Sequence, residues 1–230
     1  MYVLVLDAGD ALIRDRTPAT SSQGQTSIDL MNRLGYDAAA LGEGDLERLG
    51  VSTALQRIQE AKFPILSANA FLTGTDQLVT QPYVIRELGG HQVAIIGLTG
   101  QAALPDVDIR DPVQAAQRVT QEVRDRADIL ILLSHAGLDL NRQIADLMPE
   151  LDVIVSGGDG FTSTPESTAA GPIIVQADAS SPAHAGRRVG VGVWTLSPQA
   201  KPVTQRWETI SLTSAVASDP VMDAWAQEHP

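Results

Sequence analysis

The sequence predicts a single α/β domain, and three observations predict it. Apolar, β-rich runs recur along the chain, helical patterns separate them, and the last third turns to strands and turns with little helix. That last feature is expected of two sheets packed face to face beneath helices. The 230 residues suffice for one domain with a substantial core, and no internal repeat, low-complexity segment or linker divides them.

The elements follow in order. Tyr2–Leu6 (YVLVL) reads as the first strand, and Ile28, Met31 and Leu34 then share one helical face. A second helix carries Leu55, Ile58 and Ala61 on one face, followed by a strand at Ile65–Ala68. YVIREL and HQVAIIGL flank Gly89-Gly90, which reads as a hairpin turn leading into a strand at Val93–Leu98. Asp111-Pro112 opens a third helix reaching about Arg126, with Asp as N-cap and Pro at the first helical position. A strand at Ile129–Leu133 precedes a fourth helix with Leu140, Ile144 and Leu147 on one face. Val153–Ser156, Ile173–Ala177 and Val191–Leu196 are further strands, and Ser197–Pro202 turns the chain into Val203–Leu212. Most of these runs lack polar alternation, which suits strands buried on both faces. Asp219–Pro230 reads as a short terminal helix or tail.

Composition narrows the function. A formal net charge of −12 argues against nucleic acid as partner, because a phosphate backbone is held through clustered Lys and Arg. Aromatic residues are 4% of the chain, so Val, Ile, Leu and Ala must build the core. No stretch reaches the ~18 uninterrupted apolar residues of a membrane span. No leader is expected within the sequence, since Met1 runs almost directly into YVLVL. Cysteine is absent, which excludes disulfides and thiolate metal sites. GxSxG, GxxxxGK and GxGxxG signatures are absent as well.

Ligands of a largely parallel sheet gather at the carboxyl ends of its strands. Four segments place polar residues there: Ala8-Gly9-Asp10, Gly42–Asp45, Ser134-His135 and Gly157–Gly160. They predict one convergent site, although Gly and Asp also serve simply as turn formers. Were Asp10, Glu43, Asp45 and Asp159 to converge, the carboxylates would raise one another's pKa unless a cation intervened. The alternative is that these side chains point into solvent from Gly-rich loops. His91 belongs to the hairpin, His184 to the 180–185 loop beside Arg187 and Arg188, and His229 to the tail.

LDAGD (Leu6–Asp10), MNRLGYDAAALG (Met31–Gly42), GEGD (Gly42–Asp45), FPILSANAF (Phe63–Phe71), LLSHAG (Leu132–Gly137) and LDVIVSGGDG (Leu151–Gly160) carry a resemblance. In this order and spacing the chain resembles the metallophosphoesterase (calcineurin-like) domain of the 5′-nucleotidase family, over nearly its whole length. The resemblance implies a four-layer αββα sandwich of two mixed sheets flanked by helices. It assigns residues 1–218 to that domain and 219–230 to a C-terminal tail or the start of a linker helix. It implies Asp10 as the aspartate that bridges two metals and His135 as a ligand of the second. The GNH[DE] motif is altered: Glu43 stands at the Asn position, Gly44 at that of the transition-state-stabilising His, and Asp45 at the acidic one. GHxH is replaced by Gly157-Gly158-Asp159-Gly160, and the family's first motif, D-x-H, is expected before Tyr2, outside the sequence.

Two-metal hydrolysis needs ions ~3.5–4 Å apart sharing a hydroxide nucleophile. The metal candidates that remain are Asp10, Glu43 and His135, an oxygen-rich set suited to one weakly bound divalent cation, Mn²⁺, Mg²⁺ or Ca²⁺. Loss of the stabilising His alone costs ~10²–10³ in rate. The expected function is therefore a degenerate metallophosphoesterase domain that has lost catalysis and acts in binding or as a structural subunit. The alternative is an active phosphoester or nucleotide hydrolase working through the reduced site. Protein partners or a homo-oligomer are expected, and the resemblance implies an extracytoplasmic, periplasmic or cell-surface location.

Overall fold

The computed structural model describes residues 1–13, 15–167, 171–178, 187–197 and 202–229. The larger of its sheets has six strands in the order β10 (Glu166–Ser167), β11 (Ile173–Val175), β9 (Val153–Ser156), β8 (Ile129–Ser134), β6 (His91–Leu98) and β5 (Tyr83–Leu88). The four inner strands run parallel and both edge strands antiparallel. A second, three-stranded sheet is parallel throughout, ordered β1 (Leu6–Asp7), β2 (Ala38–Ala40) and β3 (Ile65–Leu66). Two short strands, β4 (Ala70–Leu72) and β7 (Val107–Ile109), pair beside it.

The layers follow from how each strand divides its side chains. In β6, Ala94, Ile96 and Leu98 face α3 (Pro112–Val123) and α4 (Leu138–Leu147), while Val93 and Ile95 face the smaller sheet. Ala38 and Ala40 of β2 and Leu66 of β3 meet them there, whereas Ala39 and Ile65 turn the other way. They pack beneath α1 (Gln25–Leu34) and α2 (Glu43–Glu60). The result is the expected αββα sandwich, with small alanines letting the two sheets approach.

Local signals are reproduced closely at several places. Gly89 and Gly90 both adopt left-handed φ (61° and 83°), so Leu88 faces His91 across a two-residue turn. Asp111 caps α3 by accepting from the Gln114 N–H at 2.9 Å. Residues Pro220–Glu228 form a helix, α5, capped by Asp219, and its Trp225 is buried. Among the described residues, no helix is long and apolar enough to cross a membrane.

Four expectations need correction. The first strand pairs only over Leu6–Asp7, because Asp37 takes over the next position with its side chain, accepting from the Val5 N–H at 2.8 Å. α2 begins at Glu43, far ahead of its apolar stripe, and runs across a break at Gly50 (φ 70°, ψ 157°). Its glycines conceal a helix that Asp45 closes by accepting from the Gly42 N–H at 3.3 Å. On α4 the buried stripe is Leu138, Asn141, Ile144 and Ala145, not the Leu140 and Leu147 faces, and Leu147 is exposed. Leu34, expected on the buried face of α1, is also exposed.

The last third forms a separate antiparallel hairpin, β12 (Arg188–Leu196) with β13 (Pro202–Ser211). The connecting turn at 198–201 lies outside the described residues, as does the 180–185 loop with His184. Trp194 and Trp207 seat the hairpin on Val153, Ile173 and Val175, beside Val155, which also packs against the cluster between the two larger sheets. Gly190 and Gly192 make this possible, since a Cβ on either would overlap an indole ring.

Candidate functional site

Three of the four polar segments converge. Asp10 follows β1 in a left-handed conformation (φ 58°), which an aspartate tolerates better than most residues. This turn aims its carboxylate at the first turn of α2, where Oδ1 accepts from the Asp45 N–H at 3.1 Å. The positive end of the helix suits that carboxylate. Glu43, in the same turn, accepts from the Gly100 N–H at 3.1 Å and lies 2.7 Å from His135 Nδ1 through the same Oε2. His135, at the end of β8, is 7% exposed and turns Nε2 towards Asp10 Oδ2 at 3.9 Å.

Glycine makes the crowding possible. A Cβ at Gly42 or Gly44 would overlap the Asp10 carboxylate, one at Gly100 would overlap Glu43, and ones at Gly9 and Gly157 would press on the His135 ring at 2.9 Å. The side chains are thus set into slots of bare backbone. The alternative that the acidic side chains point into solvent fails for Asp10, Glu43 and Asp45, the last fully buried, and holds for Asp159, which is exposed.

Asp45 serves as a structural tie. Its Oδ1 accepts from the Leu12 N–H at 2.9 Å and its Oδ2 from the Gly42 N–H, so it ties the loop after β1 to the start of α2. Burial, with the charge of Asp10 beside it, pushes its carboxyl up to about 7. Burial alone would raise Glu43 too, but the hydrogen bond and charge of His135, aided by backbone N–H groups, hold it below the ordinary carboxylate value. For His135, burial works against the cation. The Glu43 hydrogen bond and the charges of Asp10, Glu43 and Asp45 outweigh it and raise the imidazole above its usual value.

Arg48 is the member that sequence reasoning missed. Its guanidinium NH1 approaches Asp10 Oδ2 at 3.8 Å and its Nε approaches Asp15 Oδ1 at 3.3 Å. It stands one helical turn after Gly44, and a Cβ at Gly44 would overlap it. With GEGD read as a loop, that i, i+4 relation was invisible.

The fourth segment contributes backbone alone. Asp159 is exposed, and its carbonyl accepts from the Leu138 N–H at 2.7 Å. Gly158 is left-handed (φ 75°), and a Cβ there would overlap the His135 carbonyl. Of the remaining histidines, His91 lies 3.9 Å from Asp128, and His229 stacks on Trp225 with centroids 4.5 Å apart.

Asp10, Glu43 and His135 each offer one donor atom within 4.8 Å of the others, and among the described residues this is the single such cluster. Three donors are too few for two ions, and His135 Nδ1 is already engaged by Glu43. Among the described residues, the side chains that meet here are a set for one ion.

No family model matches the chain. It is 34% identical over 174 residues to the probable 5′-nucleotidase of Treponema pallidum (strain Nichols), which is 71% of this chain and 29% of that protein. It is 32% identical over 159 residues to the metallophosphoesterase YunD of Bacillus subtilis (strain 168), covering 66% of this chain and 34% of the relative. Among solved structures, the 5′-nucleotidase precursor from Thermus thermophilus superposes with a TM-score of 0.81 at 25% identity, over 98% of this chain and 48% of that one. The chain thus spans about a third of the length of these two relatives and about half of that solved chain. With the αββα layers and the sequence likeness agreeing, this chain belongs to the metallophosphoesterase/5′-nucleotidase family.

Proposed function

We propose that this domain keeps the metallophosphoesterase fold without its two-metal catalysis, and that it acts in binding or as a structural subunit. The packing around Gly44 carries the reading. Gly44 stands where the family pattern has the stabilising histidine, and a Cβ there would overlap both Asp10 Oδ2 and Arg48. The Asp10 carboxylate and the Arg48 guanidinium occupy the space a histidine there would take, which supports a site that works without it. Gly158 supports the same reading, because its left-handed backbone and its contact with the His135 carbonyl leave no place for a ligating side chain. A role in binding is supported by the outer face of the β12–β13 hairpin, where Val189, Val193 and Ile210 are exposed. In this reading residues 1–218 carry the fold and 219–230 form a C-terminal tail or the start of a linker helix.

The test is calorimetric titration of the metal-stripped protein with Mn²⁺, paired with hydrolysis assays on p-nitrophenyl phosphate and AMP. The expected result is no binding or one weak site, and no Mn²⁺-dependent turnover. Two tight sites, with turnover lost in Asp10→Ala and His135→Ala, would overturn the proposal.

A further inference from the structure

We infer that Arg48 is the built-in cation that keeps a divalent ion off Asp10, and that removing its charge opens a one-metal site on Asp10, Glu43 and His135. The inference rests on the reading that the unmutated site lacks two-metal chemistry. Its motivation is the position of the guanidinium. NH1 faces Asp10 Oδ2, the oxygen that also faces His135, and Nε is held by Asp15 Oδ1. Arg48 thus shares the carboxylate oxygen an incoming ion would need.

Two physical features make it an effective block. The guanidinium lies between two carboxylates, so Asp15 holds it beside Asp10. The other Asp10 oxygen is bonded to the Asp45 N–H at the positive end of α2, where the local field again opposes a cation. Gly44 permits the arrangement, because any side chain there would overlap the guanidinium. The three donors nevertheless remain within 4.8 Å of one another, close enough to reach a common ion once Arg48 is gone.

The experiment titrates Mn²⁺ into metal-stripped wild-type, Arg48→Met, Arg48→Gln and Arg48→Lys proteins, and follows free Mn²⁺ by its electron paramagnetic resonance signal. Circular dichroism checks that each variant is folded. Met and Gln remove the charge by different chemistry, so a folding defect in one leaves the other informative. Expected is one ion bound at least tenfold more tightly by Arg48→Met and Arg48→Gln than by wild type, with Arg48→Lys unchanged. Adding Asp10→Asn to Arg48→Met should abolish the gain. Equal affinities in wild type and the neutral variants, or a gain that survives Asp10→Asn, would overturn the inference and leave the proposed function standing. Two tight ions in the wild type would overturn both.

Discussion

Replacing Asp45 by alanine tests the tie between the β1 loop and α2, and its cost can be worked out as a function of pH. The substitution removes the acceptor for two buried donors, the N–H groups of Leu12 and Gly42. An orphaned buried donor costs about 1–3 kcal/mol, so the variant should lose roughly 2–6 kcal/mol where the wild-type carboxyl is neutral. A charge effect opposes this. The Asp45 carboxyl is raised from 3.8 to about 7 by burial and by Asp10. Between those values the folded protein holds a proton that the unfolded chain has released. Wild-type stability therefore falls as pH rises, by about 1.4 kcal/mol per unit and roughly 4 kcal/mol in all. Alanine has nothing to titrate. The gap between wild type and Asp45→Ala should be widest near pH 4.5 and nearly closed at pH 7.5, when read by urea denaturation at pH 4.5, 6 and 7.5. Asp45→Asn, neutral throughout and still able to accept from Leu12, should share the flatter pH dependence with a smaller loss at pH 4.5. A gap that does not change with pH would refute the reasoning.

Two further outcomes follow from the same geometry. The Glu43–His135 pair contributes fully above the unfolded pKa of Glu43 and below that of His135, and fades as pH climbs through the raised folded value of His135. Glu43→Gln should accordingly lose about 1–2 kcal/mol near pH 6 and less in alkali, with the His135 NMR titration moving to lower pH; an unmoved titration would contradict the pairing. Gly158→Ala and Gly35→Ala both place a side chain on a left-handed backbone (φ 75° and 70°), but only at Gly158 does the new Cβ meet a neighbour, the His135 carbonyl. Thermal melts should show a loss of about 1–2 kcal/mol for Gly35→Ala and a larger one for Gly158→Ala, and equal losses would argue against the close packing at His135.

Much of the fold was legible because its signals are local. β6, β8 and β9 are short apolar runs bounded by turn residues, Gly89-Gly90 can hardly do anything but reverse the chain, and Asp111-Pro112 both caps and starts a helix. The convergence of Asp10, Glu43 and His135 was partly within reach, since Asp10 and Glu43 follow neighbouring strands of one sheet, while His135 ends a strand of the other and joins them when the sheets pack. Less visible were features that depend on what the chain meets. The start of α2 is interrupted by Gly44 and Gly50, and propensity argues against a helix there. It holds because Asp45 bonds to Leu12 and Gly42, and because its N–H meets Asp10, 35 residues away.

The sequence by itself determined the αβ alternation, the apolar strands and the residue types able to meet at the strand ends, because period and turn chemistry act over a few residues. Tertiary structure decided what those residues became. It buried Asp45 as a tie, brought Glu43 to His135 across 92 positions and laid Arg48 over Gly44 beside Asp10. Whether a carboxylate faces water, a metal or an arginine depends on neighbours supplied by distant segments, and that choice of neighbour is made only when the layers pack.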